Sequence, residues 1–211
     1  MTRFWVLMAA KLVLAGLVVA GVVTYTLGLG PFATRLEAVT ESQGKALIGG
    51  PFSLVDQTGK RVTEADFAGR ATLVYFGYTF CPDVCPTGLA TMLAAYDKLT
   101  PQEQAKIVPL FITVDPERDD VAAMASYVAL FHPALVGLTG TVEETDAAAA
   151  AWRVYHRKAE SGAASDYLVD HSSFTYLMNG ENEYVTHFGH GSTPEEMADG
   201  LRAALAAGAA G

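Results

Sequence analysis

Two cysteines are the side chains of this sequence best suited to chemistry, because they are its only thiols and form a C-x-x-x-C-P pattern. Cys81 and Cys85 suit a structural disulfide, a redox-active dithiol, or a site for a soft metal such as Cu(I) or zinc. A disulfide between them would close a small loop and constrain the unfolded chain little, which counts against a purely structural role. The familiar redox spacing, C-x-x-C, is one residue shorter. The pair alone therefore leaves the redox and metal hypotheses open.

A histidine late in the chain is the candidate for a third metal ligand. An imidazole added to two thiolates would let a site hold Cu(II) as well as Cu(I). His171 is predicted to begin a strand whose entry, in a thioredoxin-like layout, faces the cysteine loop. Ordinary thioredoxins carry a cis-proline there, whereas this chain has no proline between Pro133 and Pro194. A lone histidine is more commonly an exposed loop residue, but this position in the fold favours a ligand.

The four other histidines are predicted to lie outside the site. His187 and His190 form an H-x-x-H pattern, but Gly189 and the passage from strand to loop would align the two rings poorly. Both are therefore predicted to be surface residues. His132 and His156 are predicted to be structural residues at helix ends.

The elements on either side of the cysteines determine where the thiols lie. Apolar, β-branched and aromatic residues from Ala71 to Tyr78 predict a buried strand. Apolar residues at helical spacing predict a helix from Thr87 to Leu99. The pair thus lies where a strand is followed by a helix. Backbone N–H groups and the positive end of the helix dipole favour thiolates there.

The rest of the chain alternates strands and helices, which predicts an α/β fold. A β-hairpin over 51–63 precedes the central strand, and a second hairpin over 174–188 precedes a last helix that Thr193 caps. Between them lie a strand over 107–114, a helix over 121–131, a short segment over 135–138 and a helix over 142–155. This order is that of a thioredoxin-like fold with an N-terminal β-hairpin, and the domain is predicted to span 45–207.

Charged residues follow the strand that ends near Val114. Asp115, Arg118 and Asp119 could form a hard-metal or phosphate site, but an ion-paired loop with a helix cap is the preferred interpretation. The carboxyl ends of parallel strands form the functional edge of an open α/β sheet, and the cysteine loop lies at the same edge. A role of these residues in docking a partner is therefore predicted.

The N-terminus predicts a membrane anchor. Residues 1–30 form an apolar segment long enough to cross a bilayer, and Arg3 and Lys11 near its start favour a cytoplasmic N-terminus. A cleaved signal peptide is the alternative, but no convincing cleavage site follows. Residues 31–44 are predicted to be a linker. Either alternative places the domain across the membrane, in the periplasm of a bacterium.

The net charge of −9 argues against nucleic-acid binding.

Three motifs together resemble the Sco/SenC family, whose members are membrane-anchored copper chaperones for assembly of the CuA centre of cytochrome c oxidase. They are Y-T-F-C-P-D-V-C-P at 78–86, V-D-P-E-R-D at 114–119 and V-D-H-S-S at 169–173. The resemblance covers residues 45–205. It implies a thioredoxin-like fold that binds one copper ion, Cu(I) or Cu(II), through Cys81, Cys85 and His171.

Two functions are consistent with this resemblance. The first is a metallochaperone, a binding and transfer protein rather than an enzyme. Its expected partners are the oxidase subunit with the CuA site, a copper donor, and a thiol reductant that keeps Cys81 and Cys85 from remaining a disulfide. The alternative is a thiol-disulfide oxidoreductase that reduces cysteines of the oxidase subunit or of another exported protein. The C-x-x-x-C spacing and His171 favour the chaperone.

Overall fold

The computed structural model describes residues 48–159 and 167–208, together with the isolated helical positions Lys11, Leu14 and Val18. Strands in these ranges are β1 (Ser53–Asp56), β2 (Arg61–Thr63), β3 (Ala71–Gly77), β4 (Ile107–Thr113), β5 (Val136–Thr139), β6 (His156–Lys158), β7 (Val169–His171), β8 (Thr175–Met178) and β9 (Tyr184–Phe188). Helices are α1 (Val84–Asp97), α2 (Pro101–Gln104), α3 (Val121–Val128), α4 (Val142–Ala151) and α5 (Pro194–Gly208), and Glu64–Phe67 forms a 3₁₀ turn.

A seven-stranded sheet in the order β2-β1-β5-β4-β3-β8-β9 forms the centre of the domain. Its middle strands β3, β4 and β5 are parallel, while the hairpins β1–β2 and β8–β9 join them antiparallel on either side. Every residue of β3 and β4 is buried, as expected for parallel strands covered on both faces. The α/β, thioredoxin-like fold with an N-terminal hairpin is confirmed.

Helix α1 begins earlier than the sequence pattern predicts. It starts at Val84 rather than at Thr87, so Cys85 lies in its first turn. Proline is tolerated in the first helical turn, where its missing N–H costs nothing, so Pro86 does not delay the start. Residues Leu89, Met92, Leu93 and Tyr96 are buried, as their spacing predicts, and α1 packs against α5.

Several predicted boundaries are wrong. The segment over 135–138 is a strand, β5, and helix α3 ends at Val128 rather than near 131. The short helix α2 was not predicted, although Thr100 and Glu103 form a capping box around Pro101.

Helix α4 also ends early, at Ala151 rather than near 155. Arg153 adopts a left-handed conformation with φ of 56°. The N–H of Val154 then donates to the carbonyl of Ala149, and that of Arg153 to Ala150, as in a Schellman motif. The prediction that His156 lies at a helix end is therefore wrong, because His156 begins strand β6.

Strand β7 forms a separate two-stranded sheet with β6, in which His171 lies opposite His156. His171 thus ends β7 instead of beginning β8, which corrects the prediction. Among the described residues no helix is long and apolar enough to cross a bilayer. The predicted anchor, 1–30, lies outside the described residues except for Lys11, Leu14 and Val18, and the predicted linker, 31–44, lies outside them entirely.

Candidate metal centre

The two thiols lie at the junction between β3 and α1. Cys81 is partly exposed in the loop, and Cys85 is fully buried in the first turn of the helix. The backbone N–H of Cys85, one of the first-turn donors without a partner in its own helix, donates to Sγ of Cys81 at 3.3 Å. No disulfide joins the two cysteines in the structure. Because the N–H of Cys85 at the helix terminus points at Sγ of Cys81, this terminus stabilises negative charge on that sulfur.

His171 reaches this pair from the opposite side. Its Nε2 lies 3.1 Å from Sγ of Cys85, and its Nδ1 lies 3.0 Å from the carbonyl oxygen of Ser172. A carbonyl can only accept, so Nδ1 carries the proton in neutral imidazole and the lone pair of Nε2 faces Sγ of Cys85. A backbone carbonyl that fixes the tautomer in this way is the usual support of a metal-ligating histidine.

The structure brings together the three residues predicted as ligands. Sγ of Cys81, Sγ of Cys85 and Nε2 of His171 all lie within 4.8 Å of one another, and no second such group of His, Cys, Asp or Glu occurs in the described ranges. The other histidines do not join it. His132 and His156 face Asp97 and Asp146, and Nδ1 of His187 lies 2.6 Å from the hydroxyl oxygen of Tyr184.

The two thiols have opposite acid strengths. A hydrogen bond from the Cys85 thiol, aided by the backbone N–H groups around it, lowers the pKa of Cys81 far below its ordinary value. The same hydrogen bond, together with burial, raises the pKa of Cys85. The one proton left on the pair thus has two neighbouring acceptors, the Cys81 thiolate and Nε2 of His171. A cation that replaced this proton would meet two sulfurs and one nitrogen.

A buried carboxylate holds the loop that leads to the cysteines. Oδ2 of Asp119 accepts from the backbone N–H of Thr79 at 2.9 Å and from the hydroxyl of Thr113 at 2.6 Å. Its Oδ1 accepts from the hydroxyl of Thr79 at 2.5 Å, and its backbone carbonyl accepts from Thr139. Asp119 is fully buried, so these bonds fix the chain two residues before Cys81.

Aromatic rings and a glycine form the walls of the site. The ring of His171 meets Tyr78 edge-on at 5.8 Å and Tyr75 at 6.4 Å between centroids. Gly77 leaves room for the buried sulfur, because a Cβ there would lie 2.9 Å from Sγ of Cys85. The close packing restricts where the imidazole and the buried thiol can move.

The segment predicted to dock a partner is used inside the protein. Asp115 and Asp119 are 1% and 0% exposed. Arg118 pairs with Asp115, and the side chain of Asp120 caps α3 by accepting from the N–H of Ala123. This agrees with the ion-paired loop and helix cap preferred from sequence. Because these two carboxylates are buried, neither is exposed for direct contact with a partner.

Three residues near the site escaped sequence reasoning. Thr79 anchors the cysteine loop, Tyr78 accepts the N–H of Val169 through its hydroxyl, and Tyr167 donates its hydroxyl to Asp115. Each contact joins segments 40 to 91 residues apart. Only the position of Tyr78 and Thr79, three and two residues before Cys81, could have drawn attention to them.

Comparison with known proteins gives a family match and related structures. Residues 40–206 match the family described as SCO1/SenC. The chain is similar to Arabidopsis thaliana "Protein SCO1 homolog 1, mitochondrial", with 49% identity over 160 residues, or 76% of this chain and 48% of the relative. The chain spans about half the length of the curated relatives it matches.

Two solved structures resemble the described fold and are more than 40% identical to this chain in sequence. Arabidopsis thaliana ScoI with copper bound has a TM-score of 0.71 and 46% identity, covering 76% of this chain and 99% of that chain. Bradyrhizobium japonicum ScoI with copper bound has a TM-score of 0.69 and 42% identity, covering 75% of this chain and 99% of that chain.

Proposed function

Because the chain belongs to the SCO1/SenC family, we propose that it is a copper-binding metallochaperone that delivers copper to, or helps mature, the CuA centre of cytochrome c oxidase. The observation that carries the proposal is the convergence of two cysteine sulfurs and one imidazole nitrogen within 4.8 Å. Thiolates are soft ligands that select Cu(I), and an added imidazole suits Cu(II) as well. The partner is the oxidase subunit that carries the CuA site.

The geometry suits a protein that both holds copper and releases it. Cys85 is fully buried and keeps the ion in place, whereas Cys81 is partly exposed, so a ligand of a partner can reach the ion from that side. Two thiolates hold Cu(I) at low coordination, and Nε2 of His171 supplies the further ligand that Cu(II) prefers. Release to a partner is then an exchange of ligands that begins at Cys81.

Copper titration before and after reduction tests this function. The reduced protein should bind one copper ion, and the protein oxidised to the Cys81–Cys85 disulfide should bind none, because a disulfide offers no thiolate. The assay is equilibrium dialysis of the full chain followed by metal analysis. Equal binding by both forms would exclude the two thiols as the site.

Substitution of the imidazole separates the two oxidation states. We expect His171→Ala to weaken the Cu(II)–thiolate charge-transfer band while leaving much of the Cu(I) binding, because Cu(II) needs more ligands. His187→Ala and His190→Ala are matched controls on exposed histidines and should change neither signal. An unaltered Cu(II) spectrum and affinity in His171→Ala would contradict the ligand assignment.

A thiol-disulfide oxidoreductase is the second candidate, and the unequal thiols favour it. A partly exposed Cys81 with a lowered pKa can attack a disulfide of a partner, and the neighbouring Cys85 thiol can then release the mixed disulfide. The test is reduction of a disulfide peptide from the oxidase subunit. If His171→Ala, His187→Ala and His190→Ala all leave Cu(I) and Cu(II) binding intact while Cys81→Ser or Cys85→Ser abolishes peptide reduction, this function replaces the chaperone.

The proposed function also requires two further partners. A copper donor must load the site, and a thiol reductant must return the pair from the disulfide, because oxidation and copper binding exclude each other.

The proposed location is the inner membrane of a bacterium, with residues 1–30 as a single anchor, the N-terminus in the cytoplasm and the domain in the periplasm. The apolar segment with Arg3 and Lys11 near its start supports this orientation. Protease added to intact spheroplasts should remove the domain. Digestion only after lysis would contradict the orientation.

A further inference from the structure

We infer that Arg118 is a positioning residue that holds the strand of His171 against the cysteine loop and thereby sets how well the site retains Cu(II) relative to Cu(I). The inference rests on the proposed function, since it concerns regulation of the same copper site. Arg118 contacts none of the three ligand atoms itself. It acts through two tyrosines whose rings its guanidinium contacts, Tyr78 and Tyr167.

Two hydrogen bonds connect the segment after β4 to the segment before β7, and a third, between Arg118 and Asp115, fixes the guanidinium within its own segment. Nε of Arg118 donates to Oδ2 of Asp115 at 2.5 Å, and its Nη1 donates to the carbonyl of Tyr167 at 3.0 Å. The hydroxyl of Tyr167 donates to Oδ1 of Asp115 at 2.6 Å. We call Asp115, Arg118 and Tyr167 the Arg118 cluster. Its bonds are worth more than those of a surface ion pair, because the side chains of Arg118 and Asp115 are 15% and 1% exposed.

The same guanidinium also stacks against rings from both halves of the site. Its Cζ lies 3.7 Å from the ring centroid of Tyr167, four residues before His171. It lies 4.8 Å from the ring of Phe80, the neighbour of Cys81, and 5.7 Å from that of Tyr78. These contacts are within the range of cation–π attraction. One side chain therefore contacts the segment of the exposed thiol and the segment of the imidazole.

Tyr78 completes the connection to the imidazole. Its hydroxyl accepts from the backbone N–H of Val169, the first residue of β7, at 3.2 Å, and its ring contacts that of His171. Strand β7 pairs only with the three-residue strand β6 among the described residues, so its own sheet holds it weakly. The contacts through Tyr78 and Tyr167 thus add, from outside this small sheet, a restraint on the approach of His171 to the thiols.

The consequence differs between the two oxidation states. Cys81 and Cys85 do not depend on the Arg118 cluster for their separation, since they share one loop and helix turn. A displaced His171 would therefore leave Cu(I) bound by two thiolates but would deprive Cu(II) of its nitrogen ligand. Loss of an outer-shell partner of a metal ligand typically lowers metal affinity about 10- to 100-fold, and here we expect that loss for Cu(II) alone.

Two substitutions in the full chain test the inference. Arg118→Lys keeps the charge but removes the planar group that bonds through Nε and Nη1 at once. Tyr167→Phe keeps the ring under the guanidinium and removes only the bond to Asp115. Lys158→Gln is the matched control, because Lys158 also lies over the ring of Tyr167, at 4.8 Å, but pairs with the exposed Glu117.

Competition titrations with Cu(II) and with Cu(I) give the deciding ratio. We expect Arg118→Lys to lower Cu(II) affinity about 10-fold or more and to weaken the charge-transfer band, with Cu(I) affinity nearly unchanged. Tyr167→Phe should change the ratio in the same direction by a smaller factor, and Lys158→Gln should not change it. Adding Arg118→Lys to His171→Ala should cause no further loss of Cu(II) affinity, because both act through the same ligand.

Three outcomes would overturn the inference. Equal weakening of Cu(II) and Cu(I) would indicate a general structural role of Arg118, and unchanged affinities would indicate no role. Full additivity with His171→Ala would show that Arg118 acts elsewhere. If Arg118→Lys does not fold, Tyr167→Phe decides alone. All three leave the proposed function standing when the wild-type protein binds copper, whereas absence of copper binding in the wild type would refute both.

Discussion

Replacement of Asp119 tests whether its buried carboxylate holds the cysteine loop. Three donors converge on it: the N–H and hydroxyl of Thr79 and the hydroxyl of Thr113. Asp119→Ala leaves these donors without a partner in a buried site. A hydrogen bond to a charged group contributes about 1.5–3 kcal/mol, and an orphaned buried donor costs about 1–3 kcal/mol. Since relaxation offsets part of the sum, we expect a loss of about 3–5 kcal/mol in the free energy of unfolding.

Asp119→Asn is the matched control because an amide can satisfy the same three groups. Its oxygen, in the position of Oδ2, can accept from the N–H of Thr79 and the hydroxyl of Thr113. Its NH₂ can donate to the hydroxyl oxygen of Thr79 once that hydroxyl rotates. Burial of a neutral amide also costs less than burial of a charge. We therefore expect Asp119→Asn to change stability by about 1 kcal/mol or less.

Denaturant unfolding of the two variants measures this difference. For a chain of this size, the loss in Asp119→Ala corresponds to a fall in Tm of roughly 6–20 °C. Copper binding should weaken in the same variant, because Thr79 then no longer fixes the chain before Cys81. Equal stability of Asp119→Ala and Asp119→Asn would refute the reasoning, since it would mean that the hydrogen bonds to the carboxylate contribute nothing.

The pH dependence of these stabilities follows from the same burial. Burial, only partly offset by the hydrogen bonds from Thr113 and Thr79, raises the pKa of Asp119 above its ordinary value. A carboxyl whose pKa is raised on folding contributes stability that is present below its unfolded pKa, near 4, and is lost as the pH rises through the folded value. Asparagine does not titrate. The stability of wild type relative to Asp119→Asn should therefore fall as the pH rises above about 4.

Two further predictions concern the thiols. Gly77→Ala should destabilise the protein by about 1–3 kcal/mol and weaken copper binding, because the added Cβ would lie 2.9 Å from Sγ of Cys85. Gly191→Ala, where a Cβ meets nothing within 4 Å, is the control and should change neither unfolding nor copper titration. Alkylation of reduced apoprotein by iodoacetamide, followed by mass spectrometry, should stay fast at Cys81 from pH 8 to pH 5, because its pKa is lowered. An ordinary thiol slows roughly a thousandfold over that interval, and such slowing at Cys81 would contradict a stabilised thiolate.

The parts of the fold that the sequence pattern predicts are those with strong local signals. The apolar runs of β3 and β4 predict buried parallel strands, and the helical spacing after the cysteines predicts α1. Thr193 and Glu196 form the expected capping box at the start of α5. In each case the burial pattern or the cap is encoded within a few consecutive residues.

The errors arise where the residue types do not mark a local turn, or where long-range contacts decide the structure. Helix α4 ends because Arg153, rather than a glycine, adopts the left-handed conformation, so no residue type marks the end. The pairing of β6 with β7 joins segments that are separated in sequence, and it makes His171 the end of one strand rather than the start of the next. The approach of His171 to the thiols was nevertheless predictable from the fold class.

The structural role of the segment after β4, which is to form buried hydrogen bonds, was harder to predict from the sequence. Its place at the same sheet edge as the cysteine loop suggested a role in docking a partner, although an ion-paired loop with a helix cap was the preferred interpretation. The structure buries Asp115 and Asp119, since Tyr167 and Thr79 supply donors from distant parts of the chain and Thr113 supplies one from the end of β4. Such tertiary hydrogen bonds leave no periodic signal in a single sequence.

X-ray absorption spectroscopy of the copper-loaded, reduced full chain tests the central claim most directly, because it reports the atoms bound to the metal. We expect a shell of two sulfur atoms from Cys81 and Cys85, with an imidazole contribution in the Cu(II) form that disappears in His171→Ala. A shell of nitrogen and oxygen atoms without sulfur, or an imidazole signal that persists in His171→Ala, would contradict the proposed copper site.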